Sequence, residues 1–239
     1  MKRVSKVGPV RPESKVLQPL IHAPPMRPRA SLRSLLPVVG ITGAVGTGKS
    51  QIAAMFEGWG GILISGDGVG KDVVDQSPRL RDELIRVFGD DIIRRGNIDR
   101  SLLAQRAFVS PTAADQLNRI VHPHLLKELN RRIQGARQRR QYAAVVVDAA
   151  LLAEWGPKRV YWDCLIGVWA PLALRQRRLR RRGWTNSEIA ARSRCQMSWI
   201  ARRSMADYVV KNDGSLTLLK RRARLCWEKI LSSHCGAMP

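Results

Sequence analysis

The run Gly43-Ala44-Val45-Gly46-Thr47-Gly48-Lys49-Ser50 constrains this chain more than any other stretch. It fits G-x-x-x-x-G-K-[ST], a loop that has to follow a buried strand and open a helix. Both neighbours are of that kind. Val38-Val39-Gly40-Ile41 reads as a short buried strand, and Gln51-Ile52-Ala53-Ala54-Met55-Phe56 reads as the first turns of a helix. Glycines let consecutive backbone N–H groups point at phosphate oxygens, and the helix N-terminus adds partial positive charge at the same place. Lys49 is placed to reach the β- and γ-phosphates, and the Ser50 hydroxyl to ligate Mg²⁺. Residues 43–51 are therefore the expected seat of ATP. The competing reading, a glycine-rich turn without a ligand, leaves Lys49 and Ser50 unexplained.

Composition narrows the partners. With 239 residues the chain suggests one domain with a substantial core. A formal net charge of +23 points either to a polyanion such as nucleic acid or to a small anionic substrate. No helix-turn-helix, RNA-recognition or zinc-finger signature supports nucleic acid, so the small substrate is expected. The four cysteines, Cys164, Cys195, Cys226 and Cys235, form no C-x-x-C pair. Reduced thiols in a cytoplasmic monomer are the expectation. No apolar run is long enough to span a bilayer, so no membrane partner is expected.

Residues 1–37 hold Pro9, Pro12, Pro19, Pro24, Pro25, Pro28 and Pro37, with basic residues between them. Prolines this dense forbid a continuous helix, and the segment reads as a disordered basic tail. Past the first helix, Ile62-Leu63-Ile64 is a buried strand with Asp67 just beyond its carboxyl end. In open α/β sheets ligands bind at that edge. Pro78 to Phe88 is an amphipathic helix ending near Gly89. Helices follow near Leu102 and over Ala113 to Ile120, the latter broken at His122-Pro123 before another over Leu125 to Ile133. Together they make a helical insertion over about 78–140. Ala143 to Val147 is an apolar strand ending in Asp148, Leu165 to Trp169 a fourth strand, and Tyr208-Val209-Val210 a fifth. Between the last two lies an arginine-rich helical stretch over about 175–203. Leu216 to Ile230 closes the domain as a helix, leaving 231–239 as a tail. Strands alternating with helices predict an α/β fold, a three-layer sandwich on a five-stranded parallel sheet.

In order, these signals resemble the dephospho-coenzyme A kinase family over about Val38 to Ile230. Gly40 to Ser50 is similar to that family's G-L-T-G-G-I-G-S-G-K-S. Ile64-Ser65-Gly66-Asp67 with Lys71 falls on I-D-A-D-x-x-A-R, and Asp99-Arg100 with Leu103 and Phe108 on D-R-x-x-L-x-x-x-x-F. Ile120-Val121-His122-Pro123 resembles I-L-H-P, and Asp148 to Glu154 resembles D-V-P-L-L-F-E. Gln196-Met197 and Ala206 to Ser215 resemble the closing A-D-Y-V-I-x-N-D-G-S. The resemblance implies transfer of the ATP γ-phosphoryl to the ribose 3′-hydroxyl of dephospho-coenzyme A, the last step of coenzyme A synthesis. Ser65 stands where the family has its first Asp, Lys71 and Arg182 where it has Arg and Asp, and Trp199 where it often has Arg.

The resemblance also implies roles. Asp67 would accept or orient the 3′-hydroxyl proton, and Asp148 with Ser50 would hold Mg²⁺. Lys71, His122 and Leu151 would meet the acceptor, and Asn212 would lie by the adenine. Arg177 and Arg181, at i and i+4 on one helical face, would close on the transferring phosphoryl from a lid. Each has a plainer alternative. Asp67 and Asp148 are also good capping residues, the arginine run a solvated face, His122 a filler of a polar gap and Asn212 a turn residue.

Overall fold

A computed structural model describes residues 35–194 and 196–235. The expected tail up to residue 34, Cys195 and the final residues 236–239 lie outside the described residues. The chain runs β1 (Val38–Thr42), α1 (Lys49–Gly58), β2 (Gly61–Ser65), α2 (Gly66–Gln76) and α3 (Pro78–Phe88). It continues with β3 (Ile93–Arg94), β4 (Asn97–Ile98), α4 (Arg100–Ala107), α5 (Pro111–Arg137), β5 (Ala144–Asp148) and α6 (Leu152–Trp155). The last third holds β6 (Cys164–Trp169), α7 (Leu172–Arg180), α8 (Asn186–Arg194), α9 (Trp199–Met205), β7 (Tyr208–Lys211) and α10 (Leu216–Cys235).

Strands order as β2-β5-β1-β6-β7, all parallel, with β1 flanked by β5 and β6. Side chains alternate across the sheet, as strand geometry demands. Val39, Ile41, Val146, Ile166 and Val168 face one layer, where Ile52 and Phe56 of α1 meet Trp227 and Ile230 of α10. Val38, Val145, Val147 and Leu165 face the other, packed by Leu125, Leu129 and Ile133 of α5 and Leu152 of α6. The expected three-layer α/β fold is what forms. Leu80, Leu84, Phe88, Ile92, Leu103 and Ala107 build a separate core under the helical insertion.

Four local readings change. α5 is one helix with Pro123 inside it rather than two helices broken there. A proline costs an interior helix about 3 kcal/mol. Here its first half, through Ala113, Leu117 and Ile120, packs on the insertion core, while Leu125, Leu129, Ile133 and Ala136 pack on the sheet. Burying one Leu or Ile side chain is worth about 1.5–3 kcal/mol, so several such anchors outweigh the proline. The β3–β4 hairpin, turning through Arg95 at φ 50° and Gly96 at φ 79°, has no counterpart in the sequence reading. Residues 36 and 37 also belong to the domain rather than the tail. Leu36 N–H donates to the Arg137 carbonyl at 3.0 Å, and Val145 N–H to the Pro37 carbonyl at 2.8 Å. Finally, α10 continues past Ile230 to Cys235, so the C-terminal tail begins later than 231. Cys164 and Cys226 are both buried and unpaired, and burial pushes the Cys226 thiol up to about 12.

Candidate active site

The carboxyl edge of the sheet gathers the candidates because the strands end in register. Ile41 of β1 lies beside Asp148 of β5, and Asp148 beside Ser65 of β2. The glycine loop leaves β1 there and winds directly into α1. Gly48, the residue before α1, has φ 95°, a backbone state that favours glycine. A Cβ on Gly43 would lie 2.6 Å from the Val168 carbonyl, so only glycine lets the loop root this close to β6. Inside the loop, Thr47 is buried and its hydroxyl donates to the Ala44 carbonyl at 2.8 Å.

Lys49 and Ser50 point to the acidic side of this edge. Ser50 Oγ donates to Asp148 Oδ2 at 2.7 Å, joining the first turn of α1 to the end of β5. Lys49 Nζ lies 3.5 Å from the Ala44 carbonyl. Burial lowers the Lys49 ammonium below its ordinary range and Arg202 adds to this, while Asp148 and Asp67 act the other way. Polyphosphate charge beside the ammonium would act with the two acids. Burial also raises the Asp148 carboxyl, opposed by the Ser50 bond and the Lys49 charge.

Asp67 is not the cap of its helix. Ser65 is, its hydroxyl accepting from Gly68 N–H at 3.2 Å. Asp67 stands exposed in the first turn of α2, at the helix end that favours an anion. Serine therefore keeps the capping service that an aspartate gives at the same place. Asp148 is likewise no cap, since α6 begins after Leu151 with no side-chain cap and Asp148 accepts from Ser50 instead. Lys71 is exposed on α2, and Leu151 precedes α6 half-buried. His122 lies edge-on to Trp155 with ring centroids 5.5 Å apart. Burial, then the Arg159 charge, lower its basicity. Asp99 caps α4 and Arg100 grips Asp75 at 2.5 Å, so this pair builds the insertion.

The arginine helix presents a different face from the expected one. Arg177 and Arg181 are exposed. Arg178 turns inward instead, its guanidinium 3.4 Å from the Gly46 carbonyl and 2.9 Å from Asn212 Oδ1. Asn212 is buried and donates to the Thr47 carbonyl at 2.7 Å, so its amide braces the loop from behind. Gln196 does so from the other flank, accepting from Val45 N–H at 3.0 Å. Arg202, fully buried, bonds Glu154 at 2.6 Å and the Ala150 carbonyl at 2.9 Å. Arg175, Arg178 and Arg202 escaped the sequence reading because one arginine in a run looks like the next.

A family model for dephospho-CoA kinase matches residues 37–217. The chain belongs to the dephospho-CoA kinase family. A dephospho-CoA kinase of Corynebacterium diphtheriae is 36% identical over 194 residues, covering 80% of this chain and 96% of that protein. One of Moorella thermoacetica is 31% identical, covering 81% and 92%. The chain spans 46% of a longer Mycobacterium leprae relative of the same name. Among solved structures, a Thermus thermophilus protein superposes with a TM-score of 0.65 at 30% identity, over 82% of this chain and 98% of its own. Dephospho-CoA kinase from Campylobacter jejuni, at 19% identity and a TM-score of 0.56, shares the fold.

Oxygen donors at Ser50 and Asp148 suit a hard cation. Among the described residues no group of three or more His, Cys, Asp or Glu gathers to cage a metal. Mg²⁺ needs no such cage, since it keeps water and binds through one or two protein oxygens plus substrate phosphates. The donor set therefore fits it. No helix among the described residues is long and apolar enough to cross a membrane.

Proposed function

We propose that this family member transfers the γ-phosphoryl of ATP to the ribose 3′-hydroxyl of dephospho-coenzyme A, completing coenzyme A. One observation carries the reading. Ser50 is bonded to Asp148, and Asp148 lies beside Ser65, two residues before Asp67, so a donor phosphate and an acceptor hydroxyl would meet at this strand edge. Phosphoryl transfer asks a protein for positioning and charge neutralisation more than covalent help. Residues 43–51 cradle the phosphates with backbone N–H groups, and Lys49 balances the β/γ charge. Ser50 and Asp148 would hold Mg²⁺, which when bound neutralises charge on the phosphates. Asp67 accepts or orients the hydroxyl proton. Lys71, His122 and Leu151 contribute the acceptor side, and Arg178 with Asn212 supports the adenine end. Arg177 and Arg181 reach the phosphoryl only if the lid closes, which would also exclude water. The protein acts as a cytoplasmic monomer on a small molecule, without nucleic acid.

The test is turnover of purified protein with ATP, Mg²⁺ and a panel of acceptors. Coenzyme A and ADP should form from dephospho-coenzyme A and from no nucleoside or nucleotide. Phosphorylation of another acceptor instead would replace the assignment. Lys49→Ala should abolish turnover with the fold intact.

A further inference from the structure

An open cavity of about 710 Å³ lies along α5, lined there by Asp115, Asn118, Arg119, His122 and Leu126, with Arg159 of the loop after α6 in its wall. That volume is in the range of small-molecule sites, about 300–1,000 Å³. The α5 residues recur three and four apart, so they share one face of the helix. None of residues 43–51 lines the cavity.

Asn130 builds the side opposite α5. One turn past Leu126, its amide holds the loop at two points. Nδ2 donates to the Arg159 carbonyl at 2.7 Å, and Oδ1 accepts from Tyr161 N–H at 3.3 Å. Arg159 N–H donates to the Gly156 carbonyl at 3.1 Å. The backbone of Arg159 is thus pinned against α5 while its guanidinium is left over. Arg119 and Arg159 are both exposed. Among the described residues, neither of their side chains makes a hydrogen bond or ion pair, nor do those of Asn118 and His122. The charge of Arg159 reaches His122, lowering its basicity after burial has done so. Four polar side chains able to donate therefore line one cavity without partners, and Asp115 is the one acid beside them.

The cavity adjoins the helix that carries Asp67. A Cβ on Gly70 of α2, three residues after Asp67, would lie 3.9 Å from Leu125, the neighbour of Leu126. Val69 and Val73 of α2 pack with Val121 and Leu125 of α5 in one core. In dephospho-coenzyme A the 3′-hydroxyl and the 5′-diphosphate leave the same ribose, so whatever holds the diphosphate stands close to Asp67.

We propose that this cavity seats the diphosphate of the acceptor, with Arg119 and Arg159 as cationic donors and Asn118 and His122 as neutral ones. The inference rests on dephospho-coenzyme A being the acceptor. Guanidinium groups suit the task because their forked N–H groups match two phosphate oxygens at once. Asp115 would repel a phosphate and suits instead a hydroxyl or amide N–H of the uncharged pantetheine arm. The two arginines then select a diphosphate-bearing nucleoside over a bare one.

The experiment uses the full chain with the loop filled by Mg²⁺ and a non-hydrolysable ATP analogue. Titration calorimetry measures Kd for dephospho-coenzyme A and for ADP-ribose, which keeps the adenosine diphosphate and lacks the pantetheine arm. Arg119→Gln and Arg159→Gln should each weaken both ligands by at least about tenfold, the scale of one lost hydrogen bond to a charged group. Affinity for the ATP analogue should not change. Both side chains are exposed and unpaired, so both variants should fold, and either one suffices. Lys158→Gln, which removes an exposed cation beside Arg159 but outside the wall, should bind as wild type does. Undiminished binding in both arginine variants overturns the proposal and leaves the kinase reading standing. So does a loss confined to dephospho-coenzyme A, which would assign the arginines to the arm, or an equal loss in Lys158→Gln, which would assign the effect to summed surface charge. A wild type that binds neither ligand overturns the acceptor assignment and the proposal with it.

Discussion

Asp67 carries most of the chemical expectation at the level of single residues. Ser65 is committed to capping and cannot take a proton near neutral pH, so Asp67 acts without a second carboxylate at position 65. Asp67→Asn keeps the shape and removes both charge and acceptor. It should lower kcat by about 10²–10⁴-fold, the range for a positioned general base. A loose transition state, with little proton transfer when the P–O bond breaks, favours the lower end. ATP affinity should barely move, because the loop supplies that binding. Unchanged kcat with saturating acceptor would reduce Asp67 to a turn residue; collapse of Mg²⁺–ATP affinity would make it a metal-site residue. His122 gives a different readout. Its folded basicity is lowered by burial, so the unfolded chain binds the proton more readily. Stability therefore falls as pH drops through the ordinary histidine range near about 6.5, with a slope below the single-proton limit of about 1.4 kcal/mol per pH unit. His122→Gln should flatten that part of a urea-stability profile, and an unchanged profile would show that other groups set it.

At the level of elements, α2 is the clearest case of a cap placing a functional side chain. Ser65→Ala removes the acceptor for Gly68 N–H and should cost about 1 kcal/mol in chemical denaturation. Ser65→Asp keeps a capping oxygen and should unfold like wild type. Equal stability of all three proteins would mean the cap contributes nothing. The glycine loop and the strand-end acids were legible in the sequence because each rests on local chemistry, a motif with fixed spacing or a run with one period, whereas the cap of α2 was offered at Asp67 and falls at Ser65. The continuous α5 was not legible, since Pro123 is a local breaker and the packing that overrides it comes from two separate cores. The arginines that face the loop were hidden for a related reason. Helical spacing pairs Arg177 with Arg181 and Arg175 with Arg178, yet only tertiary packing decides which pair meets the loop, and Leu179, buried beneath Gly46, turns the second pair inward. A two-residue Arg95-Gly96 turn between two-residue strands is too short for any alternation to register.

Across the whole molecule, a net charge of +23 makes repulsion the dominant long-range term. Attractive pairs exist, but Arg79–Glu83 and Arg224–Glu228 are exposed helix-surface pairs of the kind worth well under about 1 kcal/mol each. Cations outnumber anions 42 to 19, so like-charge pairs outnumber opposite-charge ones over the molecule as a whole, and repulsion prevails beyond contact distance. Screening should therefore stabilise the fold. Raising ionic strength from about 0.01 to about 0.15 M with sodium chloride shortens the Debye length from roughly 30 to 8 Å, which silences repulsion between distant arginines first. Short buried pairs such as Arg202–Glu154 are screened least and keep their value. Thermal unfolding at the two ionic strengths should show Tm rising with salt, and a gain of about 1 kcal/mol would appear as roughly 2–4 °C in a domain of this size. The same salt should weaken ATP binding, because the loop loses the long-range field that draws the anion in. A Tm that falls as chloride is added would mean that specific ion pairs, and not the summed positive charge, govern the stability of this chain.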